Sequence, residues 1–346
     1  MNNWKLKDWF LHIRRVLPWR ENINPYRVWI SEIMLQQTRV STVIPYFIKW
    51  MKIFPNIEAL AVSPLEKVIK VWEGLGYYSR ARSIHKTAGI LLEQYKGMFP
   101  MTIQELEKLP GIGTYTSRAI LCFSFKRKTA PVDGNVVRVL SRFYSISLDV
   151  TTSEGKKELQ SLADQIVVGE KHPYIVAEAL IELGALICQK IPLCKNCPVR
   201  SDCKSLQQNR VADFPVKKPK PPITLLHRTV LIIIYKGSIL IRKENNKKIM
   251  ADLWQFPFVE GILSIPDVIE QIEQQFGLRV ISTSPFAVEQ QSFTRYRVSL
   301  YPILCTVEKF FSVQLYDWVS LENSGELAFC SGHRRILQKM LSNQPD

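Results

Sequence analysis

A chain of 346 residues is long enough for two domains, each with its own buried core. A hydrophobic content of 46% and a mean hydropathy of −0.03 fit a globular protein. No run approaches the roughly 18 apolar residues of a membrane span, and the start, MNNWKLKDWF, lacks the apolar core of a signal peptide. A net charge of +15 with a pI near 9.5 points to a polyanion, nucleic acid before an anionic membrane surface. Four of the seven cysteines are bunched, which suggests a metal site in a reducing compartment more than a disulfide scaffold.

Residues 4–17 place Trp4, Trp9, Phe10, Ile13, Val16 and Leu17 at roughly helical spacing, stopping at Pro18. In Leu17-Pro18-Trp19-Arg20, an indole and a guanidinium together suit stacking and hydrogen bonding to a planar base. Pro25–Ile30 leads into SEIMLQQT (31–38), where Glu32 lies among Val28, Ile30, Ile33, Met34 and Leu35. A carboxyl group with little solvent has a raised pKa and can act as a general acid near neutrality. The plain alternative is a solvated or salt-bridged Glu. Residues 40–96 read as helices separated by Pro55, Pro64 and the Gly74-Leu75-Gly76-Tyr77-Tyr78 turn. Paired tyrosines on that turn, followed by Arg80 and Arg82, have the make-up of a stacking platform beside phosphate contacts, or of two packed surface aromatics.

The stretch from Leu106 to Leu140 is the most informative. Helix-like runs flank Pro110-Gly111-Ile112-Gly113, and Thr114 stands where a helix N-cap is expected. Gly111 and Gly113 allow backbone N–H groups to approach an anion, which holds a DNA phosphate without reading a base. Asp133-Gly134-Asn135 then opens another helix and sets a carboxylate at its start. Helices over about 154–168 and 174–188 precede Cys188, Cys194, Cys197 and Cys203. Four thiolates at this spacing accept either zinc or an iron–sulfur cluster. Lys195, Arg200 and Lys204 make the loop basic enough to touch a DNA backbone, while Cys122, Cys305 and Cys330 are isolated and read as core.

A linker over 211–224 contains the Pro- and Lys-rich stretch Phe214–Pro222. Beyond it the pattern changes. His227–Tyr235 and Ile239–Arg242 read as a hairpin around Lys236-Gly237-Ser238, and Leu253–Pro257, 296–307 and 315–319 read as strands. Helices are expected over 266–276 and 330–341, which makes 225–346 an α+β module.

LPGIGTYT followed some twenty residues later by VDGN resembles the helix-hairpin-helix DNA glycosylase superfamily, which includes endonuclease III and the MutY adenine glycosylases. SEIMLQQT and GLGYYSRAR resemble the MutY branch. The resemblance implies a mainly α glycosylase domain over 1–210, with the hairpin at about 105–125 and a [4Fe–4S] loop at 188–203. It implies a Nudix-like lesion-recognition domain over 225–346. Glu32 would then protonate adenine, Asp133 would support the sugar at C1′, and Asn135 would help orient the transition state. Leu17, Trp19, Arg20 and Glu178 would form the base pocket. Gln37 and Tyr77 would wedge into the duplex, with Arg80 beside them. Tyr115 stands where bifunctional relatives carry a Schiff-base lysine, so base removal without strand cleavage is expected. Tyrosine there also occurs in thymine-removing relatives.

Three departures accompany the resemblance. The gap between the first two cluster cysteines holds five residues, where the family usually has six. The stretch Asp267–Gln275 lacks the Arg and Glu cluster of a Nudix hydrolase, so this domain is expected to bind without hydrolysing. Phe293-Thr294-Arg295 matches a Phe-Ser-His loop that probes 8-oxoguanine, with Arg295 in place of His. The expected partner is double-stranded DNA carrying A:8-oxoguanine or A:G mispairs, acted on by a monomer in the cytoplasm at the nucleoid, away from any membrane. A thymine or uracil mismatch glycosylase of the same fold, and a non-catalytic DNA-binding iron–sulfur protein, are the alternatives.

Overall fold

The structure is a computed structural model. It describes residues 1–219, 222–244, 250–293 and 295–342. The chain divides into two compact units, Met1–Ser63 with Ser83–Pro219, and Pro64–Arg82 with Lys220–Asp346. The grouping of Pro64–Arg82 with the C-terminal unit differs from the boundaries expected from sequence.

The first unit is helical. Its central helix, Pro25–Leu35, starts where the Asn24 side chain accepts from Arg27 N, with Pro25 at the first helical position. Nearly every residue from Tyr26 to Met34 is buried. Trp29 and, on helix Val40–Ile53, Trp50 are fully buried. Each such aromatic is worth about 3–5 kcal/mol against alanine. The polar atom that Tyr26 brings into this core is satisfied, since its hydroxyl donates to Phe54 O at 2.7 Å and accepts from Trp50 Nε1 at 3.1 Å. The first helix, Asn3–Ile13, ends earlier than its apolar spacing suggests, and a 3-10 turn at Pro18–Arg20 follows.

Helices Ser153–Val168 and Pro173–Leu186 match the expected spans closely. At the hairpin, Thr114 is already the first helical residue of Thr114–Ala119. Gly113 occupies the cap position without a side chain to offer, so the expected Thr114 cap is absent. Gly111 takes φ +77°, and a Cβ there would meet the Ser83 Cβ at 2.6 Å, so the turn needs glycine twice over.

The second unit contains an eight-stranded sheet. Strand β1 (Thr224–Tyr235) runs antiparallel to β2 (Ser238–Lys243), with Lys236 and Gly237 both at positive φ in a two-residue turn. Short β3 (Trp254–Gln255) and β4 (Phe258–Glu260) replace the single strand expected at 253–257. Strands β5 (Val280–Pro285) and β6 (Glu289–Phe293) escape the sequence pattern. Both are antiparallel to β7 (Tyr296–Val307), which pairs in parallel with β1, and β8 (Asp317–Ser320) pairs with β2.

Alternation along β1 divides the core. Val230 and Ile232 pack with Ile336, Leu337 and Met340 of helix Ser331–Ser342, while Leu231 and Ile233 pack with Val268, Ile272 and Phe276 of helix Ile265–Phe276. The latter helix starts with a capping box in which Ser264 and Asp267 serve each other.

Candidate active site

The helical unit holds a cavity of about 520 Å³, within the usual range of small-molecule sites and roomy enough to admit a purine. Its lining brings together residues far apart in sequence: Leu17, Trp19, Arg20, Glu32, Gln37, Tyr115, Asp133, Asn135 and Glu178. Every residue expected to handle the base or the sugar is therefore at one place.

Glu32 comes from the buried helix Pro25–Leu35 and is itself buried. Its Oε2 accepts from the Tyr115 hydroxyl at 2.6 Å, and among the described residues Oε1 has no hydrogen-bond partner. Burial pushes the Glu32 carboxyl up to about 7. The charges of Asp133 and Glu178 add to that, while the Tyr115 hydrogen bond and Arg20 pull the other way. Burial and the carboxylates beside it also hold the Tyr115 phenol well above its ordinary value, so Tyr115 stays a donor.

Asp133 caps helix Gly134–Tyr144. Its Oδ1 accepts from Asn135 N at 2.9 Å and Val136 N at 2.8 Å, and its Oδ2 accepts from Asn135 Nδ2 at 2.8 Å. Burial raises its pKa against the pull of these donors. Three donors and no acceptor are the surroundings an ionised carboxylate needs. Asn135 is fixed in turn, because its Oδ1 accepts from Arg138 Nη2 at 2.8 Å. Arg138 also donates to Gly184 O at 2.7 Å and Cys188 O at 2.6 Å. Gly184 has no room for a side chain, since a Cβ there would lie 2.6 Å from the Asn135 Cβ.

Sequence reasoning missed one feature of this cavity. Glu182, fully buried, accepts from Arg15 Nε at 3.0 Å and from Arg20 Nη2 at 2.9 Å, while Arg20 Nε reaches Glu178 at 3.1 Å and Arg14 Nη2 reaches it at 3.3 Å. Two carboxylates and three guanidiniums thus form one network along the cavity wall. The signal was available: Glu178 and Glu182 are i,i+4 on the otherwise apolar helix Pro173–Leu186. Trp19 is buried with its ring 5.6 Å from that of Phe47, edge to face.

The residues expected to meet DNA divide. Gln37 is exposed at φ +59° and Tyr77 is half exposed at φ +49°, both in a region that non-glycine residues seldom adopt. Gly111 and Gly113 are exposed. Arg80, expected at phosphates, is instead buried. Its Nη2 donates to Leu75 O and Gly76 O, both at 3.1 Å, and its guanidinium lies 5.1 Å from the Trp72 ring. The turn spends this cation on its own carbonyls. In the sheet unit Phe293 closes β6, with its ring 5.5 Å from Tyr296, and exposed Arg295 donates to the Tyr296 hydroxyl at 3.2 Å. Thr294 lies outside the described residues.

Cys188, Cys194, Cys197 and Cys203 are half-buried and free of disulfides. Among the described residues, no three His, Cys, Asp or Glu side chains are grouped as they would be around a single metal ion. The donor chemistry nonetheless fits a cofactor. Burial first, and the neighbouring thiolates after it, push Cys197 up to about 11 and raise Cys194, so this group needs a positive centre to hold thiolates. Buried Arg142 supports the loop, donating to Gln189 O at 2.6 Å and to the Cys188 sulfur at 3.5 Å. No described helix is long and apolar enough to cross a membrane.

The comparisons with known proteins agree with this geometry. Residues 30–165 match the family model of the HhH-GPD superfamily base excision DNA repair proteins, and residues 229–339 match that of the NUDIX domain. An adenine DNA glycosylase of Buchnera aphidicola subsp. Baizongia pistaciae is 44% identical over 72% of this chain and 71% of its own length. That of Buchnera aphidicola subsp. Schizaphis graminum is 32% identical over 96% of both chains. Among solved structures, a thermostable thymine-DNA glycosylase superposes with a TM-score of 0.54 at 27% identity, covering 60% of this chain and 95% of that one. With its helix-hairpin-helix unit, its Nudix-like unit and relatives of this similarity, the chain belongs to the MutY family of adenine DNA glycosylases.

Proposed function

We propose that this glycosylase is monofunctional and removes adenine paired with 8-oxoguanine or guanine in double-stranded DNA, as the first step of base excision repair. The observation that carries the reading is Glu32, a buried carboxyl near pKa 7 in a cavity roomy enough for a purine that also holds Asp133. Glu32 donates its proton to a ring nitrogen of adenine. The glycosidic electron pair leaves with the base, and the Asp133 carboxylate supports the cationic sugar until water adds at C1′, its proton passing to the now ionised Glu32 carboxylate. Asn135 fixes the Asp133 carboxylate. Tyr115 holds Glu32 in place and cannot form an imine, and no lysine lines the cavity.

Leu17, Trp19, Arg20 and Glu178 form the base pocket in this reading. Extruding the base costs a few kcal/mol. Gln37 and Tyr77 offset that by filling the gap, at roughly 1–3 kcal/mol per stacked aromatic. Gly111 and Gly113 hold the backbone, and Phe293 to Arg295 probe the opposite base from the C-terminal, lesion-recognising domain. Cys188, Cys194, Cys197 and Cys203 would hold a [4Fe–4S] cluster, which when bound ties their loop through four thiolate–iron bonds. Protein purified without oxygen should carry about four iron and four sulfide per chain; zinc in their place would mean that the short first gap changes the metal.

Duplexes bearing A or T opposite 8-oxoguanine or guanine, incubated with the protein and scored with and without alkali, test the main reading. Excision of adenine alone, visible only after alkali, is expected. Release of thymine, or strand breaks without alkali together with a borohydride-trapped adduct, would refute it.

A further inference from the structure

The Gly74–Tyr78 turn is held from outside as well as from within, with outer contacts that come from the sheet unit. On its N-terminal side, Glu73 Oε1 accepts from Phe329 N at 2.9 Å and from Arg334 Nε at 2.7 Å. Its Oε2 accepts from Lys70 Nζ at 2.8 Å, and that ammonium also donates to Gly325 O at 2.7 Å and Leu327 O at 3.0 Å. On the C-terminal side, Arg82 Nη1 donates to Ala251 O at 2.9 Å and lies 3.3 Å from the Asp252 carboxylate. The Glu73 and Arg334 side chains are only 14% and 13% exposed. With this shielding, loss of either partner would leave the other's charge largely buried and uncompensated.

Helix Ser331–Ser342, which carries Arg334, makes a second set of contacts from its next residues. Arg335 Nε and Lys339 Nζ each reach the buried Glu289 carboxylate at 2.7 Å, and Arg335 also donates to Gln290 O. Glu289 opens β6, the strand that ends at Phe293. One helix therefore grips, at adjacent positions, the base of the Tyr77 turn and the base of the strand that leads to Phe293. Tyr77, four residues beyond Glu73 and next to Gly76 at φ +72°, sits at φ +49°, a conformation that needs outside support.

We propose that helix Ser331–Ser342 is a brace, and that Glu73 is a positioning residue through which the sheet unit sets the geometry of Tyr77. This rests on the reading of Tyr77 as a duplex-stacking residue. In consequence, recognition of the opposite base at Phe293 and stacking at Tyr77 are coupled and do not add independently.

The test compares single-turnover excision from A:8-oxoguanine and A:G duplexes by the full-length protein and by Glu73→Ala, Tyr77→Ala and the double variant. Each single variant should lower the ratio of the two rates, by roughly five- to 100-fold if a stacked aromatic is lost. The double variant should match Tyr77→Ala, because both changes act through one side chain. Losses that multiply, or a Glu73→Ala protein that keeps the ratio while Tyr77→Ala loses it, would overturn the brace and leave the stacking role standing. A Tyr77→Ala protein with the full ratio would remove the stacking reading, and the brace with it. If Glu73→Ala does not fold, Lys70→Met, which removes the partner of the Glu73 Oε2, takes its place with the same outcomes.

Discussion

Glu32 and Glu289 each expose only 8% of their surface, one in each unit of the molecule. Glu32 lies deep in packed surroundings, whereas Glu289 lies near the surface under two long side chains. Their surroundings send them in opposite directions. Glu32 meets a phenol and two further acids, so burial prevails and its pKa climbs to about 7. For Glu289 burial also pushes up, but hydrogen bonds and charges from Lys339 and Arg335 outweigh it and the pKa falls below the ordinary value. The difference teaches that burial alone does not make an acid. What makes one is deep burial without a dedicated cation.

The sharpest way to break the comparison is at Glu32. Glu32→Gln should bind an A:8-oxoguanine duplex yet excise roughly 10²- to 10⁴-fold more slowly, the usual worth of a general acid. In the unaltered protein the rate should fall as pH rises through about 7, where Glu32 loses its proton. Single-turnover excision at the original rate by the variant would end the assignment.

A smaller effect lies in stability. Glu32 has a folded pKa above its ordinary 4.5, so its contribution is complete below pH 4.5 and is lost as pH rises through about 7. Glutamine escapes that loss. Glu32→Gln should therefore unfold at higher denaturant than the unaltered protein at pH 8, by up to roughly 3 kcal/mol, and show no such gain at pH 4. Glu289 has the opposite sign. Its depressed pKa gives stability that is present above the ordinary carboxylate range and is lost as pH falls through the folded value. Glu289→Gln should cost about 1 kcal/mol at pH 7, from two partly solvated cations left without their counter-charge, and progressively less in acid. Chemical denaturation of both variants across pH 4–8 gives the two slopes, and slopes of the same sign would erase the contrast.

Much of this was legible in the chain, for identifiable reasons. The helices announce themselves through Asn24-Pro25, Asp133-Gly134 and long apolar periodicity, and these local signals survive folding. The cavity lining was legible because Glu32, Tyr115, Asp133 and Glu178 each sit in a distinctive string. What escaped was non-local. Arg80 looks like a phosphate contact until the turn closes over it and offers carbonyls. Glu182 carries no motif of its own, and its partners Arg15 and Arg20 come from a segment over 160 residues earlier. Strands β5 and β6, VISTSP and EQQSF, carry too few apolar residues to signal pairing. Their partner β7 supplies the pattern they lack. The grouping of Pro64–Arg82 with the second unit rests on Glu73, Lys70 and Arg82, whose types say nothing about which carbonyl they will find.

Gly184 draws two walls of the cavity to a fixed separation by what it lacks. The helix bearing Glu178 and Glu182 rests against the turn bearing Asp133 and Asn135 at this residue, where an added methyl group would fall 2.6 Å from the Asn135 Cβ. That is roughly 1 Å inside the normal contact of two carbons. The bore of the pocket is thus gauged by a hydrogen atom. A single methylene of drift there would part Glu178 and Glu182 from Asp133 and widen the cavity that all three line.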